Sequence, residues 1–184
     1  MGKFTLGAKR PLIISGPCSA ETREQTVETA MQLALSGRVD VIRAGIWKPR
    51  TKPGTFEGIG EIGLEWLNEV KQATGLPVAV EVANKAHVQL ALKYGVDILW
   101  IGARTTVSPF AVQEIAEALH DNKDITVLVK NPMTPDIGLW AGAVNRLINE
   151  GVPQENIGLI HRGYAYFGDS KYRNPPMWHT IFEM

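Results

Sequence analysis

The chain has 184 residues, 45% of them hydrophobic and 21% charged, and its 19 Lys plus Arg are matched by 19 Asp plus Glu. That length suits one domain with a sizeable core, and zero net charge argues against a nucleic-acid or anionic-membrane binder, which needs a broad basic field. A single cysteine excludes an internal disulfide, no apolar run approaches the ~20 residues of a membrane span, and "MGKFTLGAKR" has no signal-peptide core. The cytoplasm is the expected compartment.

The first strand is predicted over 12–17 (LIISGP) and runs into Cys18. A helical pattern over 21–36 follows, with Ser19 as its expected cap. Strand two, 39–46 (VDVIRAGI), leads to Lys48, and helix 60–74 ends at Gly75, where a left-handed residue is useful. Strand three, 77–82 (PVAVEV), contains Glu81, which period-two alternation sets opposite Val80 and Val82. Helix 85–94 lies between Asn84, a cap, and Gly95. Strand four, 97–102 (DILWIG), runs into Arg104. Helix 108–120 has Ser108 as cap and Pro109 at its first position. Strand five, 125–130 (ITVLVK), ends in Lys130, on one face with Leu128 and Thr126. Helix 137–150 starts at Asp136 and stops at Gly151, and strand six, 157–161 (IGLIH), runs into His161 and Arg162.

Short β-branched runs alternating with amphipathic helices predict an α/β fold with a parallel sheet. Two architectures fit, a doubly wound sheet and a (β/α)8 TIM barrel. The barrel is preferred because five of the six strands end in or run into a charged or reactive group and strand three carries one. Barrel enzymes build their sites from many strand tips, whereas a doubly wound sheet concentrates its site at one switch point. The barrel would be incomplete, with about six βα units and no strands seven and eight. Residues 1–184 are read as one partial barrel domain.

The strongest local signal is "RAGIWKPRTKPG", residues 43–54, where Arg43, Lys48, Arg50 and Lys52 meet no acid before Glu57. Crowded cations at a strand end repel, and burying them without a partner is costly. With Arg104, Lys130 and Arg162 at other strand ends, they point to a small molecule bearing phosphate or carboxylate groups; a solvated basic loop is the alternative. On spacing alone Cys18 reads as a small buried residue ahead of a metal ligand or nucleophile, because no further ligand has the right spacing. "GIGEIG", 58–63, matches a dinucleotide-binding pattern but follows a Pro-Gly loop and not a strand, and reads as a glycine-rich helix entry. His87, His120 and His179 read as surface residues. The tail aromatics Tyr164, Tyr166, Phe167, Tyr172 and Trp178 read either as a lid or as apolar surface that further chain would cover.

The motifs "GPCSAET" (16–22), "RAGIWKPRTKPGTFEGIG" (43–60), "IGART" (101–105), "VKNPM" (129–133) and "IHRGY" (160–164) resemble those of 3-deoxy-D-arabino-heptulosonate 7-phosphate synthases, over nearly the whole chain. The nearest likeness is the form without an N-terminal regulatory domain, often fused to chorismate mutase. "KPRT" distinguishes it from the sister synthases of the eight-carbon 3-deoxy-octulosonate phosphate, which carry Asn-Arg-Ser there. The resemblance implies a transferase of the shikimate pathway that condenses phosphoenolpyruvate with erythrose 4-phosphate and releases phosphate. It assigns phosphoenolpyruvate to Arg43, Lys48, the Ala103 backbone, Arg104, Lys130 and Arg162, and erythrose 4-phosphate to Lys48, Pro49, Arg50 and Thr51. Lys48 becomes the general acid and Glu81 the holder of the attacking water. A divalent metal of the Mn, Fe, Co or Zn type is implied, with Cys18 as one ligand, and so is a homo-oligomer in the full-length form. The family's His, Glu and Asp ligands follow strand seven and have no counterpart here, so the chain is expected to be C-terminally truncated. The runner-up reading is an inactive remnant that at most binds phosphoenolpyruvate, and a lesser one the sister synthase.

Overall fold

The computed structural model describes residues 11–50 and 52–164. Its elements run β1 (Ile14–Ser15), α1 (Arg23–Leu35), β2 (Val41–Ala44), α2 (Ile62–Thr74), β3 (Val78–Val82), α3 (Lys85–Lys93), β4 (Ile98–Ile101), α4 (Ala103–Thr106), α5 (Pro109–Ala118), β5 (Thr126–Lys130), α6 (Ile137–Asn149) and β6 (Ile157–Ile160). Each predicted strand is found, shorter than its apolar run. The one-turn helix α4 and a 3-10 turn at Gln154–Asn156 fall where no element was predicted. The chain divides into two compact units, one formed by residues up to Val82 with Ala86–Trp100, the other by Ala83–Lys85 and the residues from Ile101 on.

In the first unit β1 pairs in parallel with β2, Ile14 opposite Val41 and Ser15 opposite Ile42. β2 pairs in parallel with β3, Ile42 opposite Val78, Arg43 opposite Ala79 and Ala44 opposite Val80, and β4 lies beside β3. Partners across a ladder share a face, and every second residue returns to it. Arg43 therefore shares a face with Ala79 and with Glu81. Ile42, Ala44, Val78, Val80 and Val82 lie on the opposite face, and all are buried; α1 and α2 pack on each other, α1 against β2 and α2 against β3. Burying each Val or Ile contributes about 1.5–3 kcal/mol, which fixes the register and with it the placement of the two charged groups. α1 is capped by Thr22, whose side chain accepts from the Gln25 N–H at 3.1 Å, and not by Ser19 as predicted. Ser19 instead gives its carbonyl to the Gln25 amide at 3.2 Å, which places it one turn too early to cap.

In the second unit β5 and β6 pair in parallel from Val127 opposite Ile157 to Lys130 opposite Ile160. The predicted caps are present. Ser108 accepts from the Ala111 N–H at 3.4 Å, with Pro109 opening α5, and Asp136 accepts from the Leu139 N–H at 2.9 Å. α5 and α6 pack together, and the buried Trp140 of α6 donates its indole N–H to the Val129 carbonyl at 3.0 Å.

Thr51, His179 and the tail residues Tyr166, Phe167, Tyr172 and Trp178 lie outside the described residues. Tyr164 is buried. His87 departs from its predicted surface position: it is half-buried, with its ring stacked on Trp47 at 4.0 Å and 6°. Burial holds its pKa below the ordinary histidine value. His120 is exposed, 3.5 Å from Glu150.

Candidate functional site

Two glycines bring the ends of β1 and β2 into contact. A Cβ at Gly16, where φ is 151°, would lie 1.9 Å from the Arg43 carbonyl oxygen. One at Gly45 would lie 1.9 Å from the Cys18 carbonyl oxygen. Only a residue without a side chain allows that approach. The Gly45 N–H then donates to Pro17 at 3.2 Å and the Ala20 N–H to Gly45 at 3.1 Å. On this cradle Arg43 donates through Nη1 to the Pro17 carbonyl at 2.9 Å. Lys48 donates through Nζ to the Cys18 carbonyl at 2.7 Å and lies 3.6 Å from its Sγ. The cations rest on main-chain oxygens, which eases their repulsion.

Cys18 is exposed, contrary to the buried residue its spacing suggested, because the "SGPCS" turn carries it out past the strand. The Lys48 ammonium holds its thiol below the ordinary range, with Arg43 adding to the effect and partial desolvation opposing it.

Beside Arg43 and Lys48, the same unit places Glu81, half-buried on β3. Its Oε2 accepts the indole N–H of Trp100 at 2.9 Å, and the face of the same indole lies 4.8 Å from the Arg43 guanidinium carbon. The loop after β2 folds back on itself. The Lys48 N–H donates to Glu57 at 2.8 Å and the Gly60 N–H to Ile46 at 3.0 Å. Arg50, exposed, donates through Nε to the Phe56 carbonyl at 3.0 Å; Pro49 is half-buried. "GIGEIG" is part of this return and leads into α2, as expected of a helix entry.

In the second unit Lys130 ends β5, and Arg162 follows the end of the adjacent β6. Between them stands Asn131, fully buried. Its amide donates to the carbonyls of Pro132 at 2.9 Å and Gly163 at 3.0 Å, and its Oδ1 accepts the Arg162 N–H at 2.7 Å. Ala103 and Arg104 lie in α4, half-buried and exposed respectively. α4 is tied to β5 by Thr106, whose hydroxyl bonds the Lys130 carbonyl at 2.8 Å. Within this unit Ala103, Arg104, Lys130 and Arg162 thus sit on one hydrogen-bonded set of strand ends.

Sequence reasoning missed Trp100 and Asn131. Both carried a readable signal. A Trp buried in a strand needs an acceptor for its N–H, and an Asn placed directly after a strand-ending cation must satisfy a buried amide.

Among the described residues no three His, Cys, Asp or Glu side chains stand close enough to hold a metal ion, and the groups beside Cys18 are cations. These residues alone do not fit a divalent-metal site, and no step below passes through one. Among the same residues no helix is long and apolar enough to cross a membrane.

The sequence pattern of the DAHP synthetase I family matches residues 3–176. Phospho-2-dehydro-3-deoxyheptonate aldolase of Thermotoga maritima is 42% identical over 167 residues, covering 91% of this chain and 47% of that protein. A 2-dehydro-3-deoxyphosphooctonate aldolase of Methylobacillus flagellatus is 35% identical over 92 residues, 46% of this chain and 33% of that one. Among solved structures, the Thermotoga maritima DAHP synthase superposes with a TM-score of 0.76 at 31% identity, over 94% of this chain and 47% of the other. The chain spans about half the length of the first relative it matches. Its fold is α/β of the (β/α)8 barrel class, with six of the strands present among the described residues. The chain belongs to the DAHP synthetase I family.

Proposed function

We propose that the chain carries substrate-binding and catalytic residues of a synthase that condenses phosphoenolpyruvate with erythrose 4-phosphate, giving 3-deoxy-D-arabino-heptulosonate 7-phosphate and phosphate. The observation that carries this reading is the grouping of Arg43, Lys48 and Glu81 in the first unit. A guanidinium has five donors and an ammonium three. Pro17 takes one from Arg43 and Cys18 one from Lys48, which leaves donors for a phosphate or carboxylate. Arg104, Lys130 and Arg162 take anion-binding roles by the family resemblance, as do Pro49, Arg50 and Thr51 toward erythrose 4-phosphate.

In this reading C3 of phosphoenolpyruvate forms the new bond to the aldehyde carbon. The Lys48 ammonium, as general acid, gives a proton to the aldehyde oxygen. Water held by Glu81 adds at C2 and loses one proton, leaving a C2 hydroxyl beside the phosphate. That hydroxyl loses its proton and closes to the C2 ketone as the C2–O bond to phosphate breaks and phosphate leaves with the bonding electrons. The family resemblance implies a divalent metal with Cys18 among its ligands, and the assay supplies one.

The test is phosphate release by the purified chain with phosphoenolpyruvate, Mn²⁺ and either erythrose 4-phosphate or arabinose 5-phosphate. Release with erythrose 4-phosphate supports the reading, and release only with arabinose 5-phosphate replaces it with the sister reaction. If calorimetry detects phosphoenolpyruvate binding without any release, the chain's role is reduced to binding.

A further inference from the structure

The family resemblance gives roles to Arg43 and Glu81 but not to the side chain that joins them. Trp100, only 5% exposed, lies on β4 beside β3, where it meets both. Its N–H donates to Glu81 Oε2 at 2.9 Å, and its ring face lies 4.8 Å from the Arg43 guanidinium. The strand register sets Arg43 and Glu81 on one face, close enough for one indole to contact both. The two contacts use different parts of the indole. A ring face attracts a cation through its negative quadrupole, while the edge N–H donates to an acceptor.

We propose that Trp100 is a positioning residue of this site. Its face fixes the Arg43 guanidinium for the substrate anion, and its N–H fixes the Glu81 carboxylate for the water. This rests on the function proposed above. Without the indole face, Arg43 keeps its hydrogen bond to Pro17 but regains freedom to swing away from a bound anion. Without the N–H, Glu81 loses the hydrogen bond that orients its carboxylate while Arg43 keeps its platform. Phe at position 100 removes the second contact alone, and Leu removes both.

The experiment measures phosphoenolpyruvate affinity by calorimetry in wild type, Trp100→Phe, Trp100→Leu, Arg43→Ala and the Trp100→Leu/Arg43→Ala double variant. Trp100→Phe is expected to bind within about twofold of wild type, and Trp100→Leu about fivefold more weakly. In the Arg43→Ala background the Trp100→Leu loss should vanish, because coupled contacts are not additive. Indole N–H resonances provide a readout independent of substrate. The Trp100 cross-peak, identified by its loss in Trp100→Phe, should move in Glu81→Gln. Equal weakening by Phe and Leu, or an undiminished Leu effect without Arg43, would leave Trp100 as a core filler only and overturn the proposal. An unmoved cross-peak overturns it as well, including where Trp100→Leu does not fold. If wild type binds no phosphoenolpyruvate, the functional reading fails separately, and the cross-peak still decides the pairing with Glu81.

Discussion

The side-chain oxygen of Asn131 accepts the main-chain N–H of Arg162 at 2.7 Å, while its amide donates to Gly163 at 3.0 Å. One buried amide thereby fastens the exit of β5 to the exit of β6 and ties the Arg162 backbone to the residue that follows Lys130. Asn131→Ala leaves an N–H and carbonyls without that partner, each costing roughly 1–3 kcal/mol when buried. The expected outcome is a lower urea midpoint, with a total loss of about 3 kcal/mol, and weaker phosphoenolpyruvate binding. Unchanged stability would show that water replaces the amide without cost.

The glycines separate into positions that need one and positions that do not. At Gly45 a methyl group meets the Cys18 carbonyl oxygen at 1.9 Å, while at Gly142, inside α6, nothing lies within 4 Å. Gly45→Ala must push the β1 and β2 exits apart, so a loss of about 1–3 kcal/mol or more is expected. Gly142→Ala should raise stability by about 0.5–1 kcal/mol, because Ala gives up less conformational freedom than Gly in a helix. Denaturation midpoints of the two variants, measured side by side, check the opposite signs.

His87 stacks on Trp47 and is half-buried, and desolvation lowers its pKa. The folded chain therefore resists the proton that the unfolded chain takes up below about pH 6.5. This group costs no stability above that pH. Stability is lost as pH falls from the unfolded value toward the folded one, and the loss then levels off. Urea midpoints at pH 7.5 and 5.5 should differ less in His87→Gln than in wild type, since the other titrating groups are common to both. An equal difference would mean the ring is protonated as easily folded as unfolded.

Much of this fold was legible because its evidence is local. β-branched runs marked the six strands, and Ser108, Asp136 and Gly75 marked helix ends through hydrogen bonds or a left-handed turn formed within a few residues. What escaped depended on distant partners. Thr22 outcompetes Ser19 as a cap through the precise start of α1. His87 is drawn inward by Trp47, 40 residues earlier in sequence. In the site, the strand-end cations could be read one by one, since each is the polar end of an apolar run. Trp100 could not, because its role exists only once the register has set Arg43 and Glu81 on one face.

Cys18 offers a direct measure of the cradle, because it is the only cysteine and any alkylation reports on it. Lys48, with Nζ 3.6 Å from Sγ, is the main cause of its lowered pKa, followed among the lowering effects by Arg43. The thiolate is the nucleophile, so reaction with iodoacetamide follows the thiolate fraction. In chelator-treated protein, the pH–rate midpoint should lie below that of a free thiol. Lys48→Met should shift it upward and slow alkylation at pH 7, with the two rates converging once both thiols are ionised. The linked stability has a definite sign. A thiol whose folded pKa is depressed adds stability that is full above its unfolded pKa and disappears as pH falls through the folded value. Lys48→Met should therefore lose more stability relative to wild type at pH 9.5 than at pH 6. Identical alkylation profiles would show that the Lys48 amine does not hold its place over the sulfur in solution, and would remove the electrostatic basis for grouping Lys48 with Cys18.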